Sequence, residues 1–221
     1  TLFRSLVFSR FLLEKTAFLS LSDMGKSLPS YEEIPIACEM DEAVETEYKR
    51  IENALVRVLR SNRRAAQKIL SAYLNLLTVY PDQPYDQKPI LYPDSDIPIV
   101  KPESIGDADC LGEKELRTLE IVKAAIQNGE RALIYTSWVR TDSQQKLKKL
   151  LADEGYRTEI LTDKIKTTNR EEWVQKKLAA GMQVLIVNPS LVETGLDLNA
   201  FTTLVFYSMG YRSEEHTSEL Q

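Results

Sequence analysis

Cysteine and histidine are nearly missing from this chain of 221 residues, which holds two cysteines and one histidine. Cys38 and Cys110 lie far apart, in neither a Cys-x-x-Cys pair nor a Cys/His cluster. Neither a disulfide framework nor a zinc site is indicated, and a reducing cytoplasm is the simpler setting. Apolar runs are short: no stretch of about eighteen uninterrupted apolar residues occurs, which excludes a spanning helix of the usual kind. Positive charge is not in excess. A formal net charge of -5 argues against a protein that coats nucleic acid through bulk electrostatics, since that affinity needs many phosphate-neutralising Lys and Arg. Any such contact has to be local. The opening Thr1 to Leu21 is apolar in part, yet Arg4, Arg10, Glu14 and Lys15 interrupt it and no small-residue cleavage pattern follows, so it reads as interior sequence of a longer protein.

What is present suits one α/β domain with a helical appendage, because 43% hydrophobic residues suffice to bury one full core with some to spare. Ile34, Ile36, Cys38 and Met40 alternate as in a half-buried strand, and Pro35 points to an edge position. Asp41 is placed to cap a helix on which Val44, Ile51, Leu55, Val58 and Ala65 recur at helical spacing. Arg50, Arg57 and Arg64 repeat on another face; the helical pattern runs to Tyr80, with a break expected near Ser61 and Asn62. Six of the nine prolines then fall between Pro81 and Pro102 without helical or strand period, so residues 81–111 are expected to form a stiff connector lying along a surface.

After Gly112 the pattern alternates between helical and apolar runs, the signature of a parallel sheet. Helices are expected at Glu113 to Gln127, at Asp142 to Glu154, and from Thr168, whose spacing to Glu171 suits a capping box, to a stop at Gly181. Strands are expected at Ala132 to Thr136, Arg157 to Leu161, Gln183 to Val187 and Thr203 to Tyr207.

The most informative segment runs from Val184 to Leu198, where a strand enters an irregular loop holding Glu193, Thr194, Gly195 and Asp197. Ligands of open α/β sheets bind beyond the carboxyl ends of such strands. Gly195 permits close backbone approach, and Asp197 can accept hydrogen bonds from a ribose or orient an arginine. On this loop alone, an ordinary strand-to-helix turn is an equal reading. The order of segments along the chain decides between them. Arg131 to Trp138 resembles motif IV of superfamily 2 helicases, and Gly195-Leu-Asp-Leu198 resembles motif V, with the helices and strand of a second RecA-like lobe between them. Leu28-Pro-Ser-Tyr-Glu-Glu33 and Asp41 to Tyr48 are similar to the junction between the lobes of Swi/Snf-type ATPases, and Thr-Gly-Leu-Asp-Leu is similar to motif V of their phage and mobile-element members. Leu191, Val192 and Glu193 depart from the usual small residues there, and Asn188 and Ser190 are assigned no role.

The resemblance implies an α/β, parallel-sheet RecA-like helicase C-terminal lobe over residues 112–211, preceded by a helical inter-lobe segment over 1–80 and the connector at 81–111. It implies a parent that binds ATP and Mg2+ between two lobes and moves on nucleic acid, with double-stranded DNA expected, while a piece without the N-terminal lobe and motif VI would be inactive alone. Gly195 and Asp197 would face the nucleotide, whereas Thr136, Ser137, Trp138 and Thr194 would line the nucleic-acid track. A non-catalytic RecA-like scaffold, or a nucleotide-binding lobe of another two-domain enzyme, are the alternatives. No catalytic or metal-ligating residue is assigned. Met24-Gly25-Lys26-Ser27 lacks the first glycine of a phosphate loop, Ser20 standing in its place, and Asp41-Glu42-Ala43-Val44 reads as helix capping rather than an acidic metal box. The stripe Arg50, Arg57, Arg60, Arg64 and Lys68 suits either a phosphate backbone or a solvated helix face, solvation being the simpler. Arg212 to Gln221, which holds the only histidine, His216, resembles a translated sequencing adapter and is expected to be non-native.

Overall fold

The computed structural model describes residues 32–137, 143–193 and 195–208. The chain divides into two compact units, Thr1–Ala37 and Cys38–Gln221. Of the first, residues 32–37 are irregular, with Ile34 and Ile36 exposed. The strand expected over Ile34 to Met40 does not form. Alternation alone does not hold a strand; it needs a neighbour to complete its ladder, none pairs with it among the described residues, and Pro35 removes one donor.

The remaining elements belong to the second unit. Helix α1 (Glu42–Ser61) and helix α2 (Arg63–Val79) meet at Asn62, whose extended backbone ends α1 and whose side chain accepts the Ala65 N–H at 3.0 Å, capping α2. Val44, Ile51, Leu55 and Val58 from α1 close over Ala65, Ile69, Tyr73 and Leu76 from α2. Asp41 stands at the N-cap of α1 as expected but makes no side-chain capping bond. The proline-rich stretch is more ordered than its sequence implies: β1 (Ile90–Leu91) and β2 (Pro98–Val100) pair antiparallel, and Ile90 and Val100 join the helical core. Strands of two and three residues are too short to leave a period. The Tyr80 hydroxyl donates to the Glu103 carbonyl at 2.9 Å and fixes the return of this stretch along the helices.

The α/β lobe follows the expected order: α3 (Glu113–Gln127), β3 (Ala132–Thr136), α4 (Ser143–Asp153), β4 (Thr158–Leu161), α5 (Arg170–Ala179), β5 (Val184–Val187) and β6 (Thr203–Ser208). Asp142, the expected first residue of α4, lies outside the described residues. All four long strands are parallel in the order β4-β5-β3-β6. The central β5 is buried at every position, which is why it reads as an uninterrupted apolar run. Val122 of α3 and Leu147 and Leu151 of α4 pack on Ile134, Val184 and Ile186 on one face. Val174 of α5 and Phe201 pack on Leu133, Leu185 and Val187 on the other.

The capping box expected at Thr168 and Glu171 is absent. Thr167–Asn169 forms a 3-10 turn and α5 starts only at Arg170, while the Thr168 hydroxyl donates to Asn169 Oδ1 at 2.9 Å. The buried Arg170 sets this start, its guanidinium donating to the carbonyls of Ile165 at 3.2 Å and Leu191 at 2.9 Å. A reach-back of that kind does occur at α3, where Glu115 Oε2 accepts the Gly112 N–H at 3.0 Å.

Glu115 is also the centre of a buried charged group. Its Oε1 accepts Lys146 Nζ of α4 and the Tyr207 hydroxyl of β6, each at 2.9 Å. Lys114 Nζ lies 4.4 Å from the Tyr207 ring centroid and pairs with the buried Asp82, which follows α2. A register shift between Tyr135 and Thr136 accompanies this arrangement on β6. The two acids and two lysines balance, and they bind the helical region to the lobe.

Candidate functional site

Because the four long strands are parallel, their carboxyl ends share one edge, and Thr136, Ser137 and Asn188 all lie there. The edge is laced by side chains. Ser137 donates its backbone N–H to Ser208 Oγ at 2.9 Å and its hydroxyl to the Ser208 carbonyl at 2.8 Å. Asn188 Nδ2 donates to the Ser137 carbonyl at 2.9 Å, tying β5 to β3. Its Oδ1 accepts the Ser190 N–H at 2.9 Å and hydroxyl at 2.6 Å, which caps the 3-10 turn Pro189–Leu191. One buried amide therefore fixes both loops at their roots.

Thr136 is placed differently from a surface-lining residue. It is 0% exposed, and its hydroxyl accepts Gln144 Nε2 at 2.7 Å, so the side chain orients α4 from beneath the edge. Ser137 is half-buried at the edge itself. Trp138 and Thr194 lie outside the described residues.

Gly195 and Asp197 lie further along the loop that joins β5 to β6, and both are exposed. Gly195 has φ +84°, and a Cβ placed on it would meet nothing within 4 Å. Left-handed backbone, rather than crowding, makes glycine the fitting residue. Asp197 Oδ1 accepts the Asn199 N–H at 3.0 Å, which folds the chain back toward Phe201 and β6. Leu191 and Val192, which stand where small residues are usual, pack with Leu196 and Leu198 against the apolar face that holds Val174 and Leu185. The loop is thus anchored by aliphatic burial at both sides of Gly195.

Sequence reasoning missed Asn188, Gln144 and Ser208. The signal for Asn188 was an asparagine followed by Pro-Ser at the end of a four-residue buried strand, a common Asx-turn opening. Among the described residues, no group of three or more His, Cys, Asp or Glu is placed to hold a metal ion, and no helix is long and apolar enough to cross a membrane.

Residues 114–221 match the family described as helicase conserved C-terminal domain. Over this segment the sequence is similar to helicase C-terminal domains. Among solved structures, the chain is similar to the Sulfolobus solfataricus SWI2/SNF2 ATPase C-terminal domain, with 16% identity and a TM-score of 0.57 over 77% of this chain and 68% of that one. It is also similar to the SWI2/SNF2 ATPase core from the same organism in complex with dsDNA, with 16% identity and a TM-score of 0.55 over 77% of this chain and 33% of that one. At this identity the likeness is one of fold. The parallel α/β lobe shares the fold of that SWI2/SNF2 ATPase C-terminal domain, and the chain spans 33% of the length of the SWI2/SNF2 core. No curated protein matches the sequence.

Proposed function

We propose that this chain works as the second motor lobe of an ATP-dependent translocase on double-stranded DNA, of the Swi/Snf type found in phages and mobile elements. The observation that carries the reading is the laced carboxyl edge, where Ser137, Asn188 and Ser208 hold the loops after β3 and β5 in fixed relation. Ligands of parallel sheets bind at such an edge. The dsDNA in the related SWI2/SNF2 core supports DNA as the polymer.

In this reading Ser137, with Trp138 and Thr194, contacts phosphates, and Thr136 positions α4 behind them through Gln144. Short polar groups fix a protein on the backbone without reading sequence. Gly195 and Asp197 serve the nucleotide: the exposed carboxylate, with Oδ1 turned to Asn199, suits a ribose hydroxyl, and the open space beside Gly195 admits a ligand. Phosphoryl transfer is the chemistry that bound MgATP would supply, its acceleration coming from positioning and charge stabilisation. The part of this chain is to orient the nucleotide and to close against a partner lobe.

Hydrogen exchange with and without a DNA duplex tests the placement. Slower exchange is expected over 136–138 and 188–195, with no change at Glu130, Arg131, Thr202 and Thr203, which lie at the opposite edge of the sheet. Protection confined to that opposite edge, or none at all, would contradict the reading.

A further inference from the structure

The chain is acidic as a whole, with a formal net charge of -5, but its charge is unevenly placed. No Asp or Glu occurs from Asn53 to Pro81, while Arg57, Arg60, Arg63, Arg64 and Lys68 all do. The structure gathers this cationic stretch at the elbow where α1 gives way to α2. Arg57 and Arg60 are one helical turn apart and share a face, and Arg64 lies four residues beyond Arg60, so its Cα is within about 14 Å by chain length alone.

Local chemistry accounts for part of the stripe only. Arg50 is spent on Glu47, at 2.5 and 2.6 Å, and on the Lys101 carbonyl at 2.7 Å. Lys68 pairs with Asp94 at 2.6 Å. Arg60 stands in the last turn of α1, where a cation favours the helix dipole. Arg57 and Arg64 have no such explanation: both are exposed, and no ion pair to either forms among the described residues.

We infer that the elbow formed by Arg57, Arg60 and Arg64 is a second nucleic-acid contact, binding the phosphate backbone of a DNA duplex apart from the carboxyl edge. The inference rests on the proposed function for the identity of the polymer and adds a site that the function does not require. Exposed guanidinium groups that form no ion pair among the described residues, in a protein of net negative charge, fit a polyanion, and duplex DNA presents one charge per about 1.7 Å of its axis. Arginine suits phosphate because its planar fork donates two parallel hydrogen bonds. A contact here engages the helical region in holding the polymer while the lobe edge engages it elsewhere.

The test is binding of the full chain to a dye-labelled DNA duplex, followed by anisotropy across a range of salt. A variant with R57Q, R60Q and R64Q is expected to bind more weakly and to show a shallower salt dependence, the log-log slope falling by about 0.9 for each phosphate that the protein no longer neutralises. A control with K88Q, K123Q and K176Q has the same change in net charge, at exposed positions outside the elbow, and is expected to keep most of the affinity and slope. Circular dichroism establishes that both variants fold. Equal affinity and slope in the elbow variant and the unaltered chain would overturn the inference and leave the motor reading standing. Equal losses in both variants would reduce the effect to net charge and overturn it too. Poly-glutamate competing as well as DNA would reassign the elbow to an acidic protein partner. If the unaltered chain binds no DNA, both the elbow and the DNA reading fail; if binding depends on the elbow but no assembled motor turns over ATP, the elbow stands and the motor reading fails.

Discussion

At the scale of single residues, the carboxyl edge depends most on Asn188, which is 8% exposed and makes three hydrogen bonds through one amide. N188A removes the bonds to the Ser137 carbonyl and the Ser190 N–H, at an expected cost of about 1–3 kcal/mol. Thermal unfolding should fall by roughly 2–4 °C for each kcal/mol in a chain of this size. N188D should be worse than N188A at neutral pH, because a carboxylate would face the Ser137 carbonyl in a buried place. The folded-state pKa of that introduced acid is raised above its unfolded value, so the deficit should shrink as the pH falls; a pH-independent deficit would argue against the geometry. Glu47 has the opposite sign. Burial pushes its carboxyl up, but Arg50 and the Glu103 N–H together hold it below its ordinary value of 4.5. Its stabilising effect is therefore present above that value and lost as the pH falls through the folded pKa, and unfolding curves taken through the acid range should show E47Q losing less stability than the unaltered chain. These roles differ in how far sequence exposes them. Gly195 and Asp197 stand out in a short loop, whereas the bonds of Asn188 and Ser208 to Ser137 span 51 and 71 positions. No local pattern encodes a partner at that distance.

At the scale of elements, the Glu115 group decides whether α3, α4 and β6 act as one body. E115A would leave Lys146, whose side chain is 7% exposed, without its carboxylate and would also orphan the Tyr207 hydroxyl and the Gly112 N–H. Removing one partner of a buried pair is expected to cost about 3–5 kcal/mol. The double variant E115Q and K146M removes both charges, while the one amide oxygen can still accept the Gly112 N–H and the amide nitrogen can donate to the Tyr207 hydroxyl oxygen, and it should recover most of that loss by denaturant titration. Equal instability in single and double variants would show that packing, not charge, is at stake. The elements themselves were largely readable. Helix α3 and strand β3 have the expected bounds, because a strong apolar stripe ending at Asn128-Gly129 and a buried run of five leave little choice. The failures share one cause: the strand over Ile34 to Met40 has no pairing partner among the described residues, and the Thr168 box yielded to the buried Arg170 and its two distant carbonyls. In each case tertiary contacts outweighed a correct local pattern.

At the scale of the whole molecule, a RecA-like lobe with a helical region clamped to it presents two surfaces of different character. One is the carboxyl edge, built from short polar groups and backbone; the other is the arginine elbow. Two contacts on one polymer would let lobe closure become movement along it, since closure displaces the edge relative to whatever the partner lobe holds. The most direct measurement is DNA-stimulated ATP hydrolysis by this chain joined to a RecA-like lobe that carries a phosphate loop. The account predicts turnover that rises with DNA, a kcat lowered about tenfold or more by D197A, equivalent to ~1.4 kcal/mol of lost transition-state stabilisation, and a W138A variant that chiefly loses the stimulation by DNA. Undiminished DNA-stimulated turnover in D197A, or turnover indifferent to DNA in the unaltered protein, would contradict it.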